Sequence, residues 1–507
     1  MPLKAKTATY PAPKRGWISN ESLIGAMPDG AEVLDNIFPT AQGARLRKGR
    51  TKHATIAAAC KMLLNYKSGS AEKMFAASES AIYDITTPAD PDVSPTAAVS
   101  SLSSGDWSSV QFATSAGEYL VLANGADTVR NYNGSDWSVP SITGVTSSLL
   151  SQVWAFKHKL WFVEAGTQSA WYLPTDSISG AATEFPLAGV FTMGGSVLFG
   201  ATWSLDSGNG LDDVIIFVTT EGEIAVYNGT DPSTDFLLQG VYRISKPLNK
   251  NCTFKAGGDL AIMTEDGIVP VSEALRKDRG ALQAVAITYP IETAWKSVIA
   301  NRSASFPFSV TLWTSQTLLL IGLPNTSAGG DIAFVANART GAWCRYTGWD
   351  VQTSVVHVDD LYFGDADAII WQAEDGGTDT TSAYAGLWVP KFAEQNIAQK
   401  FAVHARFRGL AGTEQAIGLA CFGDYQVGAF VQAAAAAVTS GDAWGTGVWG
   451  TFIWGSASDQ TSKTDWQTVT GSGTSLSPAV YLPSNTNVSP SLDIIGVDLV
   501  YHEGGVI

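Results

Sequence analysis

The chain has 507 residues, a net charge of −16, 15% charged and 45% hydrophobic residues, 50 glycines and 17 tryptophans. That length is enough for about two to four domains with sizeable cores. So few charges, with so many turn formers and aromatics, exclude a coiled coil or a disordered chain and point to a mainly β protein of many short strands. Met1 to Asn20 lacks the apolar stretch of a secretory signal, and no uninterrupted apolar run approaches a bilayer span. The expectation is a soluble chain with no membrane anchor.

Charge is distributed unevenly. Residues 1–73 hold 12 Lys/Arg against 5 Asp/Glu, and the remainder holds 19 against 42. From Leu160 to Tyr242 ten carboxylates occur without a single Lys or Arg, and from Asp350 to Thr380 eight carboxylates occur, again without one. Gripping nucleic acid requires a clustered basic face, whereas these runs repel it, as a wall past which DNA slides would need to.

Residues 1–55 read as an extended arm, because Pro11, Pro13, Pro28 and Pro39 break any helix and Gly16, Gly25, Gly30, Gly43 and Gly49 punctuate it. The basic run at its end, Arg45-Leu46-Arg47-Lys48-Gly49-Arg50, alternates too little to predict a strand. Its functional reading is docking to an acidic partner through Arg45, Arg47, Lys48 and Arg50, and its bland reading is a solvated basic surface.

Residues 56–390 repeat a theme of two β-rich runs around a turn, the pattern of a β-hairpin. The pairs are Met74–Ala77 with Ala81–Ile85, Tyr119–Ala123 with Thr128–Tyr132, and Leu160–Val163 with Trp171–Leu173. They continue with Val214–Thr219 and Glu223–Tyr227, Leu260–Thr264 and Ile268–Val271, Leu318–Gly322 and Asp331–Asn337, and Leu361–Phe363 and Ala368–Trp371. A propeller blade takes roughly 40–50 residues, so seven such hairpins predict an irregular β-propeller-like body of about six or seven blades. A string of β-sandwiches is the competing architecture. Residues 391–407, with Lys391, Lys400 and Arg406, read as a connector strand or short helix, and residues 391–507 as a C-terminal β domain. Its Ala433–Ala437 run and the pairs Trp444-Gly445, Trp449-Gly450 and Trp454-Gly455 read as core and interface packing, with a sugar-stacking platform as the alternative.

The search for chemistry comes back empty. His53, His158, His357, His404 and His502 sit in no metal or nucleophile-elbow motif, no P-loop exists, and Cys60, Cys252, Cys344 and Cys421 are too far apart for a zinc spacing. They read as buried reduced thiols, and His158, between two lysines, reads as solvated. Asp212-Asp213 and Asp359-Asp360 would point to opposite faces of a strand and make poor catalytic pairs. Asp365 and Asp367 share a turn but lack the third acid and the glycine of a calcium loop. No enzyme, cofactor or metal is expected.

The stretch from Leu34-Asp35-Asn36 through Pro39 and Gly43 to Arg47-Lys48-Gly49 resembles the N-terminal region of the tail nozzle proteins, or tail tubular protein B family, of short-tailed bacteriophages (podoviruses). Hairpins such as Val226-Tyr227-Asn228-Gly229 and the ending from Gly496-Val497-Asp498 to Gly505 are similar to that family as well. The resemblance implies a virion tail protein, assembled in the host cytoplasm. It would form a ring, a hexamer, below the adaptor or head–tail connector and beside tail fibre or spike proteins. Such a ring extends the channel for double-stranded DNA, retains the packaged genome and releases it at infection, without specific DNA binding. In that setting Asp212, Asp213, Asp365 and Asp367 are the expected channel-lining residues, with plain surface acids as the bland alternative. The second functional reading is a receptor- or carbohydrate-binding tail or adhesin β protein.

Overall fold

The computed structural model describes residues 5–20, 29–69, 71–206, 211–301, 308–323, 331–392, 398–412, 415–428, 430, 460–463, 465–484 and 489–504. Six of the seven hairpins found in the sequence lie each in its own small antiparallel sheet, and the seventh, Leu318–Gly322 with Asp331–Asn337, belongs to a larger nine-stranded mixed sheet. The strand next to the innermost in each is buried on both faces between neighbouring sheets, as in Leu160–Val163 and Leu318–Gly322, and the turn residues reverse the chain. The innermost strands are Met62–Ser68, Ser108–Thr114, Leu150–Phe156, Val197–Asp206, Thr253–Ala256, Ser309–Trp313 and Thr353–His357. Each packs on the next sheet, Val197–Asp206 doing so through Asp259–Thr264 of its neighbour, and the last packs on the first. The body is therefore a closed seven-bladed β-propeller, numbered here as blades 1 to 7 in that order.

Three blades depart from a simple repeat. Blade 5 has three strands, Thr253–Ala256, Asp259–Thr264 and Gly267–Pro270, and continues into helices Val271–Ala274, Arg279–Leu282 and Glu292–Ala300. Trp295 on the last helix is fully buried and donates to the Thr264 carbonyl at 3.1 Å. Blade 7 takes its outermost strand from the far end of the chain: Arg50–Thr55 pairs antiparallel with Ile369–Ala373. This pairing of residues 50–55 with 369–373 closes the ring. Blade 6 extends outwards, because its strand Trp343–Thr347 continues into Gly16–Trp17, Gly30–Asp35, Ala385–Pro390, Leu476–Pro483 and Gly418–Gly423.

A second sheet lies over that extension. It is built from Ala5–Pro11, Ile37–Pro39, Ala44–Leu46, Lys400–Gly412, Gln460–Lys463, Trp466–Gly473 and Leu492–Glu503. Its inner face, with Tyr10, Leu46, Ala405, Phe407, Leu492, Val497 and Leu499 buried, shares one continuous core with blades 4 to 7. The expected N-terminal arm is indeed extended chain, but its strands are woven into the body. With the C-terminal strands it makes a single β-sandwich, so the boundary between an arm at 1–55 and a separate domain at 391–507 does not exist as a packing boundary. The connector region becomes the 13-residue strand Lys400–Gly412, held in the middle of a sheet because both of its edges are paired. The Trp-Gly pairs of residues 444–455 and the Ala433–Ala437 run lie outside the described residues.

Blades 3 and 4 meet through aromatic rings. Trp161 stacks on Phe236 at 5.7 Å and lies 6.0 Å from Trp154, whose own ring reaches Gly200 in the inner strand of blade 4. A Cβ at Gly200 would fall 2.2 Å from the Trp154 ring, so the glycine is required for the two blades to close. Gly200→Ala is expected to cost about 1–3 kcal/mol by overpacking, read as a lower urea midpoint with unchanged slope; an unchanged midpoint would show that the ring can move aside.

The seam between blades 7 and 1 carries two histidines. His53 Nε2 lies 2.7 Å from the Ile85 carbonyl, and His357 Nδ1 lies 2.9 Å from Asn65 Oδ1 and 3.9 Å from Glu72. Burial lowers both pKa values from the ordinary 6.5, partly offset at His357 by Glu72. Between the lowered values and 6.5 the unfolded chain binds more protons, so stability falls as pH falls through that window. The double variant His53→Gln/His357→Gln should lose less melting temperature than the parent between about pH 7.5 and about pH 5; equal losses would place the acid sensitivity elsewhere.

Candidate functional site

The basic run was read as a docking surface, and the structure turns most of it inwards. Arg47 is fully buried. Its guanidinium uses all five of its donors: Nε–H to Asn36 Oδ1 at 2.8 Å, Nη1 to Asp379 Oδ1 and the Lys48 carbonyl at 2.9 Å, and Nη2 to Asp379 Oδ2 at 2.7 Å and the Thr347 carbonyl at 3.2 Å. Tyr384, Trp349 and Tyr346 surround its flat faces, the nearest ring centroid at 3.8 Å. Arg45 pairs with Glu374 at 2.8 Å. Burial opposes charge on Arg45, yet Glu374 outweighs it and the pKa is raised. Burial likewise opposes charge on Glu374, but Arg45 and the Tyr346 hydroxyl at 2.6 Å hold its pKa below the ordinary value. Arg50 lies over the Trp371 ring at 4.3 Å, and burial lowers its pKa. Only Lys48 points its side chain to solvent. The acidic partner of the run is therefore the chain's own Asp350–Thr380 stretch, three hundred residues away in the sequence.

The four acids expected along a channel do not form a group. Asp365 is buried; it accepts from Trp371 Nε1 at 2.7 Å and from the Ile369 amide at 2.8 Å, as a turn acid does, and burial raises its pKa. Asp367 is exposed in the same turn. Asp213 accepts from Ser204 at 2.5 Å and faces Lys157 at 3.8 Å. Asp212 lies on the same strand, opposite Leu205, and its side chain is outside the described residues. Asp213, Asp365 and Asp367 do not line the propeller's central channel, which is a different surface from the bore of a ring between copies.

That channel is a cavity of about 460 Å³ whose lining includes Lys61, Asp106, Gln152, Lys250, Ser309 and Gln352. Lys250 Nζ donates to the Asp106 carbonyl at 2.6 Å and approaches Asp106 Oδ2 at 3.2 Å, while Asn251 donates to the Trp107 carbonyl at 2.8 Å. These residues precede the inner strands of blades 5 and 2, which are not neighbours, so the bonds run across the channel mouth and strap it. Sequence reasoning missed this strap, since nothing near Lys250 marks a partner 144 residues away.

Among the described residues no group of His, Cys, Asp and Glu could hold a metal ion. The four cysteines are free and buried, as the sequence predicted. His158 is largely exposed beside Asp176, also as predicted.

No protein-family model matches the chain, and no curated protein matches it. Among solved structures, the WD40 β-propeller domain of Doa1 is similar at 9% identity with a TM-score of 0.39, covering 64% of this chain and 97% of that one. BBS1N, solved in complex with ARL6DN, gives 9%, 0.39, 64% and 95%. The computationally designed Ika8 protein gives 10%, 0.35, 64% and 99%. The propeller assignment rests on the closed circle of strands described above.

Removing one partner of a buried ion pair leaves the other charge stranded. Arg47→Met should therefore cost about 3–5 kcal/mol in urea unfolding, and much less when combined with Asp379→Leu. A single-variant loss below about 1 kcal/mol, the surface-pair range, would show that Arg47 is dispensable.

Proposed function

We propose that this chain is a structural subunit of a short bacteriophage tail, a ring-forming nozzle component, with no catalytic role. The observation that carries the reading is the meeting of its two most distant resembling segments. Ala44 and Arg45, from the Leu34–Gly49 stretch, pair with Ile494 and Asp493 at the start of the strand that contains Gly496–Glu503. Segments more than four hundred residues apart thus form one sandwich, welded to a propeller. A resemblance confined to unrelated surface turns would give no such unit.

The strapped axis bears on how DNA would pass. A channel crossed by side-chain bonds cannot admit a duplex, so passage requires a bore between copies, arranged around a shared axis. Ring closure by heterologous contacts satisfies this. The bore-facing surface is then an outer face of the propeller or the sandwich, and the base-free Leu160–Tyr242 stretch supplies acids for it.

Electron microscopy of short-tailed particles containing this chain tests the proposal. The expected image is a closed ring, sixfold, between the head–tail connector and the tail tip. A trimeric spike, or one copy per particle, would favour the receptor-binding reading instead.

A further inference from the structure

Between about pH 5 and about pH 7.5 a charge change falls to histidine, the side chain whose ordinary pKa lies in that range. The chain has five, and all five lie among the described residues. His158 is exposed at a turn of blade 3, and His404 and His502 lie on the sandwich strands Lys400–Gly412 and Leu492–Glu503. The other two, His53 and His357, both stand in the seam between blades 7 and 1, where the ring closes. His53, on the closing strand Arg50–Thr55, reaches the Ile85 carbonyl of blade 1. His357, on the inner strand of blade 7, reaches Asn65 on the inner strand of blade 1. Both imidazoles face one ring, Tyr362, at centroid distances of 4.8 and 6.2 Å. The acids around the pair already have donors. Glu72, 3.9 Å from His357, is held by Lys67 and the Val358 amide. Asp360 accepts from Gln372, Asp84 pairs with Lys73, Asp92 pairs with Lys52, and Asp375 accepts from Thr51.

We propose that this seam is an acid-sensitive latch: below about pH 6.5, protonation of His53 and His357 parts blade 1 from blade 7 while the other seams stay shut. Two cations would then flank one half-enclosed ring, with the nearest carboxylate already bound to a lysine. Burial supports the direction, since it holds both groups below their ordinary pKa. The stability that a neutral buried histidine contributes is present above its ordinary pKa and is lost as pH falls through the lowered value. Asp350 and Asp365, in and beside the outer turn of blade 7, respond with the opposite sign, because burial raises their pKa values and they gain stability as pH falls. The remaining seams hold no histidine. Blades 2 and 3 are joined through Ser108 and Val153, blades 3 and 4 through Gln152 and Gly200, and blades 6 and 7 through Thr311 and Ser354, none of which changes charge. The latch is a property of one molecule and holds whatever assembly the chain joins.

Hydrogen exchange of the full chain at about pH 7.5 and about pH 5.5, corrected at each pH for the intrinsic chemical rate, tests this across the histidine range. Amides of Arg50–Thr55 and Met62–Ser68 should lose protection by about threefold or more at the lower pH, one pKa unit being tenfold in a protonation equilibrium. Those of Val197–Asp206 and Glu223–Asn228 in blade 4 should keep theirs. In His53→Gln/His357→Gln an amide N–H replaces each imidazole N–H, and the seam should show no loss; each single change should give an intermediate one. Equal loss in all four strands, no loss at the seam, or an undiminished loss in the double variant would overturn the latch. If circular dichroism shows that the double variant does not fold, the comparison of strands within the unaltered chain decides by itself.

Discussion

The fold turns on the burial of one cation. Arg47 sits where the sandwich, blade 6 and the closing strand of blade 7 meet, and a guanidinium in that position is tolerable only if its charge and every N–H are satisfied. Asp379 supplies the charge and two acceptors. Asn36 supplies another, and also donates to Thr347 and Ala385 while its backbone takes a φ of 57°. Gly49 lets the strand approach Thr378, whose carbonyl would lie 2.0 Å from any added Cβ. The Tyr384 hydroxyl donates to the Arg47 carbonyl. These partners come from four separate parts of the chain, so the arginine forces them into one arrangement.

The uneven charge of the sequence follows from this. Part of the basic run and part of the acidic run after Asp350 meet in one buried junction. Arg45 meets Glu374, Arg47 meets Asp379, and Thr51 donates to Asp375 at 2.8 Å. Arg345 grips Asp35 in a bidentate pair at 2.6 and 2.9 Å, tying Trp343–Thr347 of blade 6 to Gly30–Asp35. Such pairing gives register and specificity more than net stability. The closure of the ring joins residues 50–55 to 369–373, so it requires a loop of more than three hundred residues to close.

Closure has a functional consequence. A propeller sealed at its seam and strapped across its axis is a rigid block, whose remaining means of recognition lie on its outside. The channel is small, about 460 Å³.

How much of this was legible in the sequence depends on the range of the interaction concerned. Each of the seven hairpins was visible, because alternation and turn chemistry are local and every blade repeats them; the propeller, the scarcity of helix and the buried cysteines followed. The basic run and the acidic run were both visible, but the first was read as docking to another molecule and the second as a wall that repels DNA. That they join within one molecule was not visible, since no local signal distinguishes Asp379 of this chain from a carboxylate on a neighbour. The same holds for the sandwich, whose strands come from both ends of the chain, and for Lys250 reaching Asp106. Periodicity reports which face of a strand is buried, but only tertiary structure decides what it is buried against, because the partner is chosen by packing and charge satisfaction over hundreds of residues.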